Sequence, residues 1–211
     1  MASRNNSAAR SKIIEELKED HKRVKQAFRQ AEKLDAEEDG EELREIVEQT
    51  CAELEVHARL EEEAFYPVAR EVLKDADLID EAEVEHDSAK ALIAQLRQMG
   101  PDDEKYAATF KVLGEYVNHH IKEEENEIFP GLEGRSGAEW EAVQEQMTTL
   151  RGQLMSEMGL AVEAEEGEEE DETASEGGRS AGRRSAGASA GRGGRAEERP
   201  QAAGRREKTK K

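Results

Sequence analysis

The chain has 211 residues, of which 51 are acidic and 31 basic, and its formal net charge at pH 7 is −20. Nearly all of this charge falls on residues 1–162, because residues 163–211 hold 12 acids and 11 bases. So acidic a folded region is a poor candidate for binding a phosphate backbone, and a single cysteine, Cys51, excludes an internal disulfide framework and a thiolate metal cluster.

Residues 1–10 precede the first apolar stripe and are expected to form a flexible N-terminus. Neither they nor any later segment has the apolar run of a signal peptide or of a membrane span, which predicts a cytoplasmic protein without membrane contact. The first helix is predicted from about Ser11 to Asp35, because apolar residues recur there at spacings of three and four. This stripe consists of Ile14, Leu17, Val24, Phe28 and Ala31.

Three further amphipathic helices follow, at about residues 41–67, 77–100 and 103–129. Pro67 ends or kinks the second helix, and Pro130 closes the fourth. The loops between the helices are short, which favours antiparallel neighbours. With no strand pattern anywhere, the sequence predicts an all-α fold, an antiparallel up-down-up-down four-helix bundle.

A fifth amphipathic helix is predicted over residues 136–160, where Ser136 and Glu139 have the spacing of a capping box. Its apolar face consists of Trp140, Val143, Met147, Leu150, Leu154 and Met158. This face is expected either to cover the bundle or to form a homodimer contact.

Residues 163–211 contain no Val, Ile, Leu, Met, Phe, Tyr, Trp or Cys, and we expect them to be disordered. Nine acids and no base lie in residues 163–176, and residues 177–211 are rich in arginine and glycine. The basic segment is the one route by which the chain could hold nucleic acid, and the acidic segment could instead pair with it.

Each of the four predicted bundle helices places one histidine on its apolar stripe: His21, His57, His86 and His120. Glu61 and Glu124 follow two of them by four residues and therefore share the same face. At 1.5 Å rise per residue, the four imidazoles are expected roughly 15 Å from the same end of the bundle, in one layer. His119 is expected to point away from this layer.

The chain also repeats itself. The segment HARLEEEAFYP (57–67) matches HIKEEENEIFP (120–130), and EDHKRVKQAF (19–28) matches VEHDSAKALI (84–93). The two helical hairpins are therefore pseudo-equivalent, and a site between them is expected to have two-fold character.

Burying four imidazoles and two carboxylates without partners would cost several kcal/mol per charged group. A metal centre removes this cost, and imidazole with carboxylate but no thiolate suits iron, manganese or zinc. Six ligands are too many for one tetrahedral zinc and about right for two bridged metals. The remaining acids of the two segments are expected to be solvated or to orient the imidazoles: Glu62, Glu63, Glu123, Glu125 and Glu127.

The pattern H…HxxxE…H…HxxxE, with a proline closing the even helices, resembles the hemerythrin-like HHE cation-binding domain family over residues 11–133. The resemblance implies a non-haem di-iron centre that binds dioxygen reversibly, or senses oxygen, nitric oxide, peroxide or iron. It also implies terminal and bridging iron ligands, which here are His21, His57, His86 and His120 (terminal) and Glu61 and Glu124 (bridging).

One position departs from the oxygen carriers of that family, which have a second histidine one turn after the third-helix histidine. Here this position is Lys90, which leaves a coordination position open or filled by water, Tyr116 or Glu83. The departure favours reaction with peroxide or nitric oxide, or iron sensing, over stable carriage of dioxygen.

The function expected from the sequence is that of a non-haem di-iron protein that binds or senses a small diatomic or peroxide ligand. Two alternatives stay open. The chain could be an iron-responsive regulatory interaction module without turnover, or a weak enzyme of peroxidase or catalase type. No residue is assigned a catalytic role.

Overall fold

A computed structural model describes residues 2–73, 77–135 and 137–160 of the chain. Within these ranges the secondary structure is helical and contains no strand, which confirms the predicted all-α class. No helix in the described ranges combines the length and the apolar character needed to cross a bilayer. The predictions of disorder and of nucleic-acid binding for residues 163–211 lie outside the described residues.

The described helices are α1 (Ala2–Ala31), α2 (Gly40–Leu60), α3 (Tyr66–Val72), α4 (Asp77–Leu96), α5 (Tyr106–Glu123), α6 (Phe129–Gly131) and α7 (Trp140–Met158). Two π turns, Glu61–Phe65 and Glu124–Ile128, join α2 to α3 and α5 to α6 without a break. The bundle therefore has four long rods: α1, α2 with α3, α4, and α5 with α6. The two joined rods both continue beyond their prolines, Pro67 and Pro130.

The four rods pack in a ring. α1 contacts α2 and α5, and α4 contacts the same two helices. This arrangement follows from the amphipathic stripes, because each stripe can be buried only against its two neighbours. The predicted four-helix bundle is confirmed.

A buried polar layer divides the core of the bundle into two apolar clusters. The cluster on the side of the prolines includes Ile13, Leu17, Leu60, Phe65, Ile79 and Phe129. The cluster on the other side includes Val24, Phe28, Leu54, Ile93, Leu113 and Ile121. The polar side chains buried between them include His21, His57, His86, His120, Glu61 and Glu124.

The N-terminus differs from the expectation, because α1 already begins at Ala2, whereas residues 1–10 were expected to be flexible. Ala9 is only 5% exposed, and Arg10 Nη1 donates a hydrogen bond of 2.8 Å to the carbonyl oxygen of Leu132. These contacts with residues far along the chain stabilise the first turns, and the local sequence pattern does not reveal them.

Helix α7 begins at Trp140, and its N-cap residue, Glu139, makes no side-chain capping hydrogen bond. Ser136, the predicted cap, lies outside the described residues. Asn6 of α1 takes part instead, since its Oδ1 accepts a hydrogen bond of 3.4 Å from the Glu141 amide and its Nδ2 donates one to Ala138. The helix therefore begins later than the spacing of Ser136 and Glu139 predicted.

Of the two roles expected for the fifth helix, α7 covers the bundle in this chain. It packs on α1, on α2 and on the first π turn. Its buried face consists of Trp140, Val143, Met147 and Leu154.

Candidate metal centre

The structure brings the six residues predicted as metal ligands together in the polar layer. They form two groups that could hold metal ions and that share Glu61: His21, His57, Glu61 and Glu124 in one, and Glu61, His86 and His120 in the other. None of the six residues is more than 6% exposed. The layer predicted from helix spacing therefore matches the structure.

The two carboxylates lie between two pairs of imidazoles. Within the pairs, the Nε2 atoms of His21 and His57 are 3.2 Å apart, and those of His86 and His120 are 3.1 Å apart. Glu61 Oε2 lies 3.3 Å from Nε2 of both His57 and His86. Glu61 therefore contacts one imidazole of each pair.

Glu124 occupies the complementary position. Its Oε2 lies 3.1 Å from His21 Nε2 and 3.4 Å from His120 Nε2, which are the two imidazoles that Glu61 does not contact. Each carboxylate thus faces one imidazole of each pair. Two metal ions, one at each pair, would both be within reach of both carboxylates.

Each imidazole also meets a carboxylate at its outer nitrogen, Nδ1. The pairs are His21–Glu125 (3.0 Å), His57–Asp20 (3.3 Å), His86–Glu62 (2.8 Å) and His120–Glu85 (2.9 Å). This arrangement is typical of metal-binding histidines, whose second nitrogen donates to a carboxylate that fixes the orientation of the ring.

The outer carboxylates determine which nitrogen atom of each imidazole carries the proton. An ionised carboxylate only accepts hydrogen bonds, so it selects the tautomer with the proton on Nδ1. The four Nε2 atoms then present lone pairs to one another and to carboxylate oxygens at 3.1–3.4 Å. Lone pairs at these distances repel unless a proton or a metal ion lies between them, so the residues present fit a metal ion.

Two buried oxygen atoms support the same conclusion. Glu61 Oε1 and Glu124 Oε2 accept no hydrogen bond from the described residues. A buried acceptor without a donor costs about 1–3 kcal/mol, and more when it is charged. Carboxylate oxygens in such surroundings are suited to bind a cation.

Burial shapes the protonation of the centre. It raises the pKa of Glu61 well above its usual range, and the neighbouring carboxylate of Glu124 adds to this effect. Burial also lowers the pKa of His57 to about 4, so His57 is neutral at pH 7 and its lone pair is available to a metal.

The hydroxyl group of Tyr66 lies in the centre, whereas the sequence indicated only a packing role. It donates to Glu124 Oε1 at 2.9 Å and lies 3.3 Å from Glu61 Oε2. The aligned residue of the other half is Phe129, which stacks on His21 at 6.0 Å between ring centroids. The sequence does show this difference, because the first repeated segment ends in Tyr-Pro and the second in Phe-Pro.

Two further residues of the centre, Asp20 and Glu85, were not predicted from the sequence, and they contact the Nδ1 atoms of His57 and His120. Each of these acids immediately precedes one of the lone histidines, His21 or His86, in the repeated segments. An acid at this position in both repeats is the signal that could have identified them.

Lys90, at the position where oxygen carriers have a histidine, does not enter the centre. Its Nζ binds both oxygen atoms of Glu62, at 2.6 and 2.7 Å. The two replacement ligands considered from the sequence lie elsewhere, since Glu83 pairs with Arg70 at 3.1 Å and Tyr116 is 51% exposed. Lys90 instead holds the carboxylate that orients His86.

The two π turns place the inner carboxylates, because Glu61 and Glu124 are their first residues. In each turn the amide of the residue before the proline, Tyr66 or Phe129, bonds to the carbonyl oxygen of that glutamate, five residues earlier. A proline clashes with the carbonyl four residues before it in a regular α-helix, and a wider turn is one way to continue. Single π turns are frequent at functional sites.

A small cavity of about 30 Å³ adjoins the imidazoles, and all four of them line it. Its other walls are largely apolar and include Val24, Leu54, Ala89, Ile93, Val117 and Ile121, and Tyr116 lies at its exposed edge. This volume has room for about two water-sized molecules. The centre therefore has space for a small ligand.

Comparisons with known proteins agree with this geometry. The hemerythrin HHE cation binding domain matches residues 12–132. A DNA nickase of Nostoc sp. (strain PCC 7120 / SAG 25.82 / UTEX 2576) is 25% identical over 127 residues, which are 60% of this chain and 35% of the relative, so this chain spans about a third of that relative's length.

A crystal structure of a hemerythrin HHE cation binding domain-containing protein from Mycobacterium kansasii shares the fold with a TM-score of 0.56 and 22% identity. The similarity covers 67% of this chain and 85% of that protein. Since the domain match spans more than half of the residues and includes all six residues of the centre, the chain belongs to the hemerythrin HHE cation binding domain family.

Proposed function

We propose that this chain is a non-haem di-iron protein that binds or senses dioxygen, nitric oxide or peroxide. His21 and His57 would hold one iron, His86 and His120 would hold the other, and Glu61 and Glu124 would contribute to both sites. The observation that supports this best is the set of four imidazoles, each in contact with an outer carboxylate at Nδ1, around two buried carboxylates.

The choice of iron rests on the donor set and on the family. Imidazole and carboxylate without thiolate suit iron, manganese and zinc, and six protein donors for two ions leave positions free for an external ligand. Iron at such positions supplies a redox-active binding site for a small molecule.

The protein surroundings favour a small ligand. The cavity of about 30 Å³ places apolar walls, including Ala89 and Ile93, next to the imidazoles. The hydroxyl of Tyr66 stays protonated, because burial and the two glutamates raise its pKa well above its usual range. It is therefore a hydrogen-bond donor in an otherwise acceptor-rich centre.

The test is the reaction of the protein, reconstituted with Fe²⁺ without oxygen, with each of the three ligands in turn, followed by visible absorption. We expect a spectral change with at least one ligand. Ala89→Leu, which fills the cavity, is expected to slow that change at least tenfold without altering the iron content. Ala108→Leu, an exposed position on α5, is the matched control and is expected to have no effect.

Two results would contradict the proposal: iron-loaded protein that responds to none of the three ligands, or an Ala89→Leu variant that responds as fast as the wild type. Continuous consumption of peroxide above that of free iron would assign the weak peroxidase or catalase activity. A single response without turnover would assign binding or sensing.

A further inference from the structure

The two halves of the centre are nearly equivalent, but their outer carboxylates are held differently. In one half, Asp20 holds His57, and in the other, Glu85 holds His120. Near Glu85 lies His119, whose Nε2 is 3.7 Å from Glu85 Oε1 and whose side chain is 64% exposed. Asp20 has two arginine partners: Arg23, one turn further along α1, whose Nη2 donates to Oδ1, and a second from outside the four-helix bundle.

The second partner is Arg151 of α7. Its Nη2 donates to Asp20 Oδ2 at 2.7 Å, and its Nη1 donates to Oδ1 at 3.1 Å, so the guanidinium binds the carboxylate through two parallel hydrogen bonds. Such pairs are among the stronger hydrogen bonds in proteins and fix the plane of the carboxylate. Asp20 is 6% exposed, and Arg23 donates only to its Oδ1, whereas Arg151 also holds Oδ2, the oxygen next to His57.

Asp20 links Arg151 to the centre through one shared atom. The oxygen that accepts from Arg151 Nη2, Oδ2, also lies 3.3 Å from His57 Nδ1. The position of the guanidinium therefore sets the position of the acceptor that orients the His57 ring. The other half of the centre has no arginine in this place among the described residues.

Helix α7 lies outside the part of the chain that matches the family domain, residues 12–132. It docks through Trp140, Met147 and other apolar residues, and through Gln146, whose Nε2 donates to the carbonyl oxygen of Glu63 at 3.2 Å. Pro67, four residues after Glu63, has no amide for that carbonyl. Helix α7 thus contacts both the first π turn, through Gln146, and the outer carboxylate Asp20, through Arg151.

We propose that Arg151 is a positioning residue of the centre, which holds Asp20 and through it His57, and so couples the docking of α7 to metal binding at the His21–His57 pair. The inference rests on the proposed function, because it requires a metal at that pair. Coupling between two equilibria is reciprocal. A metal at this pair therefore favours docked α7, and docked α7 favours the metal, which makes α7 the element that reports the state of the centre.

The test is hydrogen–deuterium exchange of residues 140–158 in the full chain, with and without Fe²⁺. In the wild type we expect iron to slow exchange in α7 at least tenfold. In Arg151→Gln we expect that effect to fall below threefold, and Arg151→Lys, which keeps the charge but loses the paired geometry, is expected to restore part of it.

The matched control is Arg59→Gln. Arg59 of α2 lies 3.7 Å from Glu157 of α7, so the variant loses an ion pair at the same helix interface without a contact to Asp20. It is expected to keep the full effect of iron on α7. A second readout is Mössbauer spectroscopy, in which Arg151→Gln is expected to shift the signal of one iron and leave the other unchanged.

The outcomes separate the two proposals. If the wild type binds no iron, both fail. If iron binds but slows α7 equally in the wild type and in Arg151→Gln, or if Arg59→Gln loses the effect as fully as Arg151→Gln, the coupling through Arg151 is refuted and the di-iron proposal stands.

Discussion

At the scale of single residues, the centre depends on what lies behind each imidazole as much as on the imidazole itself. Glu62 illustrates this, because it accepts from His86 Nδ1 at 2.8 Å while Lys90 Nζ binds its two oxygens. The lysine keeps the carboxylate in place, and the carboxylate keeps the His86 lone pair directed inward. A residue that departs from the oxygen-carrier pattern thus supports the ligand set.

Glu62→Gln is therefore expected to weaken iron binding by about 10–100-fold, the usual cost of losing an outer carboxylate behind a metal-binding histidine. The measurement is a titration of bound Fe²⁺ against a competing chelator. Glu63→Gln is the control, because Glu63 is the next residue and pairs with Arg59 at 2.7 Å on the surface. Equal affinities for the two variants would show that Glu62 does not support His86.

Tyr66→Phe makes the two halves of the centre alike, since Phe129 is the aligned residue. The variant loses a hydrogen bond of 2.9 Å to a buried carboxylate. We expect the free energy of unfolding of the metal-free protein to fall by about 1.5–3 kcal/mol, the range for hydrogen bonds to charged groups. Urea unfolding measures this loss.

The control for this experiment is Tyr116→Phe, because the side chain of Tyr116 is half exposed. Its loss is expected to stay below about 0.5 kcal/mol, as for most surface substitutions. Similar losses in both variants would contradict the role assigned to the Tyr66 hydroxyl.

Cys51 is expected to be inert in the folded protein, because burial raises the pKa of its thiol to about 12. The raised pKa means that the folded state holds the proton more tightly. The resulting stabilisation is complete below pH ~9, near the ordinary thiol pKa, and is lost as the pH rises towards 12.

At pH 8 we therefore expect a thiol reagent to label native Cys51 at least a hundredfold more slowly than the urea-unfolded chain, since the thiolate is the nucleophile. The measurement is the absorbance of the released reagent over time. Native labelling at the rate of the unfolded chain would show that the thiol is accessible and ionisable.

At the scale of helices, the sequence predicts the elements well wherever burial alone decides. The stripes and the histidine positions follow from the 3.6-residue period, and the structure has helices at all five predicted places. The two π turns could not be predicted, because a single inserted residue shifts the pattern by one position over a segment rich in acids. The early start of α1 depends on the distant contacts of Ala9 and Arg10.

Close packing of α1 and α5 gives a prediction at this scale. A Cβ atom on Gly114 of α5 would lie 2.9 Å from Cδ1 of the Phe28 ring. Gly114→Ala gains about 1 kcal/mol in helix propensity, but overpacking of a core costs about 1–3 kcal/mol. We expect a net loss of stability, measured as a lower midpoint of urea unfolding.

Gly152→Ala in α7 is the matched control, because no atom lies within 4 Å of its Cβ position. There the propensity gain of about 0.5–1 kcal/mol is unopposed. If both variants become more stable, the Phe28 contact is not tight enough to oppose the substitution.

At the scale of the whole molecule, two similar hairpins enclose a layer of buried polar groups, and α7 covers only one side. The repeated segments made the symmetric part of the centre predictable from the sequence. The asymmetric part was not predictable, because Arg151 comes from a helix with no counterpart in the repeat. Its contact with Asp20 spans 131 positions along the chain.

We propose that this layer is a site for two metal ions, held by six protein side chains. The most direct test is the iron content per chain after anaerobic reconstitution with Fe²⁺ and removal of unbound metal. We predict two irons per chain for the wild type and fewer than one for Glu61→Ala, which removes the carboxylate shared by both groups. One iron or none in the wild type, or two in Glu61→Ala, would contradict the account.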